Sequence, residues 1–426
     1  MGLTGSEPAR GRLVREGAAL SVGAGISGIA AYAFAAIGTR TVGADAFAPV
    51  SVLWSYWAVS IAAVSFPLQH WVIRRLRVDG SAAGVRAALP RIAAIVLVLS
   101  MGSGLLGWGL REDLFRRDGL TFPLYLALVP LGAALIGLTR GRLAGEGRFT
   151  ATAWAFAGEN LLRVALATAG SVAGWDAEAF GAILVAGFGV VIAWPGTFRF
   201  ARTARTDGDA QIGLLAGIAA GSILAQVVLT GAPVALALLG ASPAAITSAF
   251  AALALFRAPY VIGTGVASRL TGVLTGFVLE GRKRRLRVLQ IAVTAATAGG
   301  ALLAALFAWV WGLPVLRALF GSGIDLPRAP LLVIAAGSAV AVGTLVQTLV
   351  LIGRARWDVI VGSWALALAA AVPWMLLGPG DVLGRVTWAF LIAETVAYLA
   401  MMLAETRALR GPALSADAGE IIVTGM

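Results

Sequence analysis

The sequence predicts an all-α, polytopic membrane protein with twelve transmembrane helices, arranged as two six-helix lobes that are related by a pseudo-two-fold repeat. The composition is the first indication, because 59% of the 426 residues are hydrophobic and only 13% are charged. A soluble domain of this length does not have such a composition. The second is a series of apolar runs of about 20 residues, the length that crosses a bilayer. The third is the distribution of arginine, because connections rich in arginine alternate along the chain with connections that contain few.

The composition also excludes several function classes. The chain contains no cysteine, so it has no disulfides, thiolate metal sites or cysteine nucleophiles. Its net charge is +12, but the arginines lie between apolar segments, where they set the orientation of a membrane protein. We therefore expect no nucleic-acid partner, and no motif in the sequence indicates a metal or a cofactor.

The first span is predicted at residues 17–39, after a polar segment, 1–16, that we expect to be cytoplasmic. The run is too long for the apolar core of a signal peptide and has no clear cleavage site, so we interpret it as an uncleaved membrane helix. Further runs of spanning length predict helices at 50–72, 91–110, 123–143, 151–173, 178–198, 211–239, 243–279, 288–311, 329–353, 357–377 and 383–404.

The positive charges in the connections predict the orientation, because short cytoplasmic loops hold most of the Lys and Arg. With the N-terminus inside, 23 of the 33 basic residues are cytoplasmic, Arg140 among them, and three lie within spans. The outer ones are Arg40, Arg111, Arg116, Arg117, Arg317, Arg328 and Arg385. With an odd number of spans, the arginine-rich connections would not all face the same side of the membrane. We therefore predict a multi-pass protein of the cytoplasmic (inner or plasma) membrane with both termini in the cytoplasm.

Two lobes are predicted, 17–206 and 207–405, followed by a disordered cytoplasmic tail, 406–426. The second span of each lobe carries a proline late in its sequence, Pro67 in the first lobe and Pro259 in the second. Internal repeats of this kind are common in transporters, whose ligand site lies between the repeats near the middle of the membrane.

Arg257 is the main candidate for a ligand-binding residue. It lies near the middle of the span 243–279, where a charge costs roughly 2.5–3.5 kcal/mol and normally faces a wet cavity or a partner. Pro259 lacks a backbone donor and should kink the helix beside it. We hypothesise that Arg257 lines a polar cavity that receives an anionic ligand. The alternative is a structural arginine, satisfied by carbonyls freed at Pro259 or by an acid on a neighbouring helix. Arg269 is a second candidate, although its side chain can also reach lipid headgroups.

Three further charged residues lie within predicted spans. Glu159 and Arg163 are four residues apart, so they share a helix face and can form an ion pair. The alternative is that Glu159 takes up a proton or a cation while Arg163 faces the substrate. Glu394, in the last span, has no partner in its own helix. It is either a neutral hydrogen-bonding acid or the partner of a cavity arginine.

Several stretches carry a family resemblance. They are Val42-Gly-Ala-Asp-Ala-Phe47 running into 50–75 with Phe66-Pro67-Leu68-Gln69, Arg142-Leu-Ala-Gly-Glu-Gly-Arg-Phe149 at the entry to the fifth span, and Phe256-Arg-Ala-Pro-Tyr260. Together with the two-lobed pattern over about residues 15–405, they resemble the multidrug/oligosaccharidyl-lipid/polysaccharide (MOP) exporter superfamily. Within it, the chain looks most similar to bacterial polysaccharide flippases of the Wzx type.

The resemblance implies a flippase that moves an undecaprenyl-diphosphate-linked oligosaccharide to the outer leaflet by alternating access, for cell-surface polysaccharide synthesis. It also implies that Arg257, together with Arg163 and Arg269, meets the diphosphate or acidic sugars, because cationic side chains form charge-assisted hydrogen bonds to such groups. The expected partners are this substrate, membrane lipids and a polysaccharide polymerase or glycosyltransferases. One departure is that the first span, 17–39, has no acid, unlike that of ion-coupled multidrug exporters of the superfamily.

Three other functions remain open from the sequence. A proton- or sodium-coupled small-molecule exporter would use Glu159 or Glu394. A membrane glycosyltransferase or ligase would need an extracytoplasmic catalytic loop, but the longest outer loop predicted is 312–328, so we expect no enzyme. A scaffold for envelope assembly is the third. Loss of function on replacement of cavity residues would distinguish a transporter from such a scaffold.

Overall fold

The computed structural model describes residues 7–78, 83–198, 212–264, 282–354 and 356–410, together with the single positions 274, 277 and 280. Within these ranges the chain is helical almost throughout and has no β-strand. The first lobe consists of α1 (Glu7–Val42), α2 (Ala44–Ser60), α3 (Phe66–Val78), α4 (Ala83–Gly109), α5 (Arg111–Phe115), α6 (Thr121–Gly145), α7 (Phe149–Val172) and α8 (Ala177–Ala186). The second consists of α9 (Ile212–Thr230), α10 (Ala232–Leu238), α11 (Pro243–Phe256), α12 (Ala258–Thr264), α13 (Lys283–Phe307), α14 (Leu313–Phe320), α15 (Arg328–Gly353), α16 (Trp357–Leu377) and α17 (Val382–Arg410).

The fold class predicted from the sequence is confirmed, because each predicted span coincides with a helix or a bent helix pair. Among the described residues, 8 helices are long and apolar enough to cross a bilayer, or 10 if the pairs α9–α10 and α11–α12 each form one span. The other two predicted spans are α7, which contains the charges of Glu159 and Arg163, and the shorter apolar helix Ala177–Ala193. The protein is therefore a multi-pass membrane protein with two lobes.

The second span of each lobe is irregular near its proline. In the first lobe a π-helical turn, Ile61–Ser65, separates α2 from α3, and Pro67 is the second residue of α3. In the second lobe, α11 and α12 meet at Arg257 with a bend of 49°. Pro259 has no N–H for the Leu255 carbonyl, so the helix loses a bond on this side. The bend places Arg257 at a break in the helix rather than on a regular helical face.

We call the two ends of the bundle outer and inner, following the orientation predicted from the arginines. In the outer half, Phe250 of α11 contacts Phe47 and Trp54 of α2, with ring centroids 6.3 and 5.9 Å apart. All three aromatic side chains are buried, so this contact between the lobes is dry. The buried Thr247 hydroxyl donates across the same interface to the carbonyl oxygen of Ala44 at 2.6 Å. The lobes are therefore closed at the outer end.

Arg40, at the outer end of α1, adds a polar contact to this closure. Its guanidinium donates to the carbonyl oxygens of Ala318 and Leu319 near the end of α14, in the other lobe. The last carbonyls of a helix have no partner within it, and a cation is favoured there. Gly321 follows with φ of 103°, a conformation that favours glycine, and its Cα lies against Arg40. The first lobe thus caps a helix of the second.

Replacing Arg40 with alanine should weaken the outer closure, because two carbonyls of α14 lose their interlobe donor. The reporter is a cysteine placed at Ile246, which is 1% exposed and lies against α2. We expect it to react several-fold faster with a membrane-impermeant maleimide, and the native chain has no other cysteine to label. Arg317→Ala is the control, because Arg317 binds Asp325 and Ile324 within its own lobe. Equal labelling rates in both variants would show that Arg40 does not hold the lobes together.

Three element boundaries differ from the sequence prediction. Helix α1 begins at Glu7, inside the predicted polar segment 1–16. Most of the predicted outer loop 312–328 is helical, because α14 continues α13 through the π-helical turn Ala308–Gly312. The apolar helix of spanning character runs over Lys283–Phe320, so the predicted span 288–311 ended too early.

The third difference lies at the end of the chain, where residues 406–410 are helical rather than part of a tail. Glu405 explains the extension, because its buried carboxylate accepts from Arg354 Nε at 2.8 Å and ties this turn to the end of α15. The remainder of the predicted tail, 411–426, and the predicted lobe boundary at 206–207 lie outside the described residues.

Candidate functional site

A cavity of about 200 Å³ lies on the inner side of the dry contact between the lobes. The first lobe contributes Phe66 and the adjoining π-helical turn, and the second lobe contributes five helices. The polar side chains of its lining include Ser222, Gln226, Tyr260, Thr344, Thr348 and Glu394. The contacts between the lobes close the bundle on the outer side of this cavity.

Arg257 lies beside this cavity, at the bend between α11 and α12, and one of its nitrogens has a structural partner. Nη1 donates to the carbonyl oxygen of Leu229 at 2.7 Å. Pro233, four residues after Leu229, has no N–H to offer this carbonyl, and α9 and α10 are bent by 65° at the same place. Arg257 therefore binds a carbonyl that a proline left free. The proline is Pro233 rather than Pro259, which the sequence suggested.

Another nitrogen of the Arg257 guanidinium lacks a hydrogen-bond partner. Nε is buried and has no hydrogen-bond partner, which is costly for a charged group. The groups that interact with it electrostatically include the hydroxyls of Tyr32, on α1 of the first lobe, and Tyr260. Arg257 is thus a cation between the lobes, fixed on one side by a carbonyl and without a hydrogen-bond partner at Nε.

Glu394, on α17, is fully buried in the wall of the cavity. Neither carboxyl oxygen has a hydrogen-bond partner. The Thr344 hydroxyl faces the carboxyl but donates to the Val340 carbonyl oxygen. Tyr260 interacts electrostatically with both Glu394 and Arg257, yet these two residues form no ion pair with each other. The carboxyl is therefore a buried acid without a hydrogen-bond partner in the wall of the cavity.

Glu159 and Arg163 form a buried ion cluster whose third member, Arg140, comes from α6. Glu159 accepts from Arg163 Nη2 at 2.7 Å and from Arg140 Nη2 at 2.6 Å, one bond to each carboxyl oxygen. All three side chains are at most 4% exposed. Arg140 was assigned by the sequence pattern to a cytoplasmic loop, and this was wrong, since it is buried within the bundle.

Arg163 makes three further contacts that hold it in place. Nε donates to the Leu184 carbonyl oxygen at 2.9 Å and Nη1 to Asn160 Oδ1 at 2.8 Å. Its guanidinium lies 4.6 Å from the centroid of the Trp57 ring. A Cβ at Gly187 would overlap the guanidinium, so glycine is required there. The geometry favours the interpretation of Glu159 and Arg163 as a structural ion pair over a substrate-facing role.

The remaining predicted site residues are Arg269 and the two prolines, Pro67 and Pro259. Arg269 lies outside the described residues, so its proposed role stays a prediction. Pro67 and Pro259 both lie within a turn of an irregular helix segment that borders the cavity region. Sequence reasoning missed Leu229 and Pro233, although a proline inside the apolar run 211–239 was a signal for a freed carbonyl.

The fold places the chain in a known class of membrane proteins. It matches a multidrug-resistance MATE family transporter of the MOP superfamily in its inward-facing conformation with a TM-score of 0.64 and 15% identity, covering 91% of this chain and 94% of that one. The outward-facing conformation of a MATE family transporter gives 0.58 and 15%, covering 94% and 95%. A mutant of the Vibrio cholerae MATE transporter VcmN gives 0.58 and 17%, covering 93% and 97%. The chain thus has the fold of MATE transporters.

No family model matches the sequence. Over 372 residues, the chain is 30% identical to the uncharacterized protein Rv3630 of Mycobacterium tuberculosis, and the match covers 81% of each chain. The chain belongs to the family of Rv3630.

Proposed function

We propose that the protein is a flippase that moves an anionic, lipid-linked glycan across the cytoplasmic membrane by alternating access. The observation that carries this proposal is the position of Arg257. Cations inside a membrane protein mark ligand pathways unless they are fully paired, and the Nε of Arg257 is buried without a partner. A phosphate or diphosphate offers this guanidinium several acceptor oxygens, and an arginine can bind two of them at once.

The position of Arg257 also supplies the difference between states that a transport cycle needs. A ligand shifts a conformational equilibrium only if its contact energies differ between the states. In the structure described, Tyr32 of the first lobe and Tyr260 of the second both lie near Arg257. When the lobes separate at the outer end, the first-lobe group moves away from the cation. A bound anion therefore has different neighbours in the inward and outward states.

The comparisons support a transporter, since the fold is that of MATE transporters. The fold is not tied to one kind of ligand pocket, because a MOP superfamily transporter from Pyrococcus furiosus is described as having a binding pocket of reverse polarity that suggests a different function. The buried Arg257 beside the cavity, together with a first span that has no acid, favours an anionic substrate. The partners we propose are the lipid-linked glycan and the polymerase or glycosyltransferases that make or use it.

Depletion of the protein tests the proposal. We expect mass spectrometry of polyprenyl-linked lipids to show accumulation of one glycan-loaded carrier, because synthesis on the inner leaflet continues while flipping stops. The mass of this lipid identifies the glycan. Re-expression of the wild-type chain should reverse the accumulation. An unchanged lipid profile in depleted cells would rule out the flippase.

A second function, a proton- or sodium-coupled small-molecule exporter, is favoured by Glu394. A buried carboxyl without a partner is a suitable site for a coupling proton or cation. Under this alternative, depletion leaves the carrier lipids unchanged and reduces efflux of small cationic or neutral compounds. Efflux from vesicles that carry an imposed proton or sodium gradient distinguishes the two coupling ions.

A further inference from the structure

The cavity beside Glu394 is lined by side chains that carry both hydrogen-bond acceptors and donors. The Thr344 hydroxyl donates to the Val340 carbonyl oxygen at 3.1 Å, and the Thr348 hydroxyl donates to the Thr344 carbonyl oxygen at 2.8 Å. The Gln226 amide nitrogen also donates within its own helix. Neither carboxyl oxygen of Glu394 has a hydrogen-bond partner, and the hydroxyls of Ser222 and Tyr260 can donate as well as accept. The complement of such a lining is a ligand with several O–H or N–H groups.

The same lining does not suit the anionic part of a substrate. No Arg or Lys of the described chain lines the cavity, and a phosphate beside Glu394 would meet a carboxyl group and no cation. The cation that suits a phosphate is Arg257, which interacts electrostatically with Tyr260 of the cavity lining. The two features form adjacent subsites of different character, one with a cation and one with a buried acid and uncharged polar groups.

The size of the cavity limits what enters it. Ligand pockets for drug-sized molecules measure about 300–1,000 Å³, so 200 Å³ is too small for an oligosaccharide. At about 30 Å³ per water molecule, this volume corresponds to about seven waters, comparable to one pyranose ring with its hydroxyls. It is also much larger than a dehydrated cation. Trp357, Trp364 and Tyr260 in the lining offer apolar surface to the C–H faces of such a ring.

We propose that this cavity binds a single sugar ring of the lipid-linked glycan through its hydroxyl donors, with Glu394 as the main acceptor, while the phosphate group binds Arg257. The inference rests on the proposed function, because it assigns the two ends of one substrate to two neighbouring subsites. In this proposal Glu394 is a specificity residue that recognises the hydroxyl groups of the sugar. It is not an acid that couples transport to an ion.

Cysteine protection on the purified, full-length protein tests the subsite. The reporter is Ala225→Cys, because Ala225 lines the cavity without a polar contact and the chain has no native cysteine. We expect methyl glycosides of hexoses to slow maleimide labelling of this cysteine, and inorganic phosphate to leave it unchanged. Glu394→Leu should raise the glycoside concentration for half protection about 2- to 13-fold, because a hydrogen bond to the carboxyl group is lost.

Two variants separate ligand recognition from other roles of Glu394. Glu394→Gln keeps a carbonyl acceptor but does not titrate, so it should retain most of the glycoside protection. Thr387→Val, a buried change on the same helix at a residue that donates to Gly384 and does not line the cavity, should behave as wild type. Protection by sodium chloride alone, abolished in Glu394→Gln, would overturn the sugar subsite in favour of a cation site. Absence of any glycoside protection would also overturn it, while accumulation of a carrier lipid in depleted cells would leave the proposed function standing.

Discussion

Replacing Arg257 with glutamine should abolish export while membrane abundance stays near the wild-type level. Glutamine retains an N–H for the Leu229 carbonyl, which Arg257 binds at 2.7 Å, but has no positive charge for the substrate. Hydrogen bonds to charged groups contribute about 1.5–3 kcal/mol, so substrate affinity should fall roughly 10- to 150-fold. The measurement is the amount of carrier lipid that accumulates when the variant replaces the wild-type chain, normalised to protein in the membrane.

Two further variants show which property of Arg257 matters. Arg257→Lys keeps the charge but not the planar pair of donors, so we expect partial export. Arg257→Ala removes both the charge and the donor to Leu229, so it should lose export and also part of its abundance, because a buried carbonyl is left unpaired. Full export by Arg257→Gln would show that Arg257 serves the helix bend alone and that the anion binds elsewhere.

Replacing Glu159 with glutamine should cause the largest loss of stability of any single change in the buried ion cluster. Glu159 is the only acid in this cluster among the described residues, and it binds both Arg140 and Arg163. Its loss leaves two buried guanidinium groups without a counter-charge. Breaking a buried pair in this way costs about 3–5 kcal/mol. We expect a correspondingly lower unfolding temperature of the detergent-purified protein and much lower membrane abundance.

Arg163→Met is the informative companion, because it leaves one neutral pair, Glu159 with Arg140, and a side chain of similar length. Its destabilisation should be clearly smaller than that of Glu159→Gln. Glu178→Gln breaks a half-exposed pair with Arg117 and should cost at most about 1 kcal/mol. If Glu159→Gln were as abundant as wild type but inactive, the cluster would belong to the transport mechanism and not to the fold.

The sequence was sufficient to locate the spans but not the partners of the charges within them. Glu159 and Arg163 were paired correctly because both belong to one helix, where a spacing of four residues brings side chains together. The second partner of Glu159 is Arg140, 19 residues away in another helix. Its position near the end of an apolar run made it look like a loop residue. Arg140 is buried because α6 packs against α7, where its guanidinium meets Glu159.

Arg257 shows the same limit at the candidate site. Its charge inside an apolar run was enough to predict that it needs a partner or a wet cavity. The identity of that partner, the Leu229 carbonyl freed by Pro233, depends on two bent helices that meet across the second lobe. Nothing in the local sequence around Arg257 specifies this meeting. Likewise, Glu394 was recognised as a buried acid, but the polar cavity around it comes from four other helices of the second lobe and from Ala62 and Phe66 of the first lobe.

The sequence by itself determined the all-α membrane fold, because in a bilayer each apolar run must satisfy its own backbone hydrogen bonds and can do so only as a helix. It also determined which residues carry an unpaired charge that the fold must accommodate. The tertiary structure decided which of these charges form ion pairs, as in the Glu159 cluster, and which do not, as at Arg257 and Glu394. That distinction depends on distances between helices far apart in the chain, and a hydrophobic pattern constrains which face of a helix is buried but not which neighbour it meets.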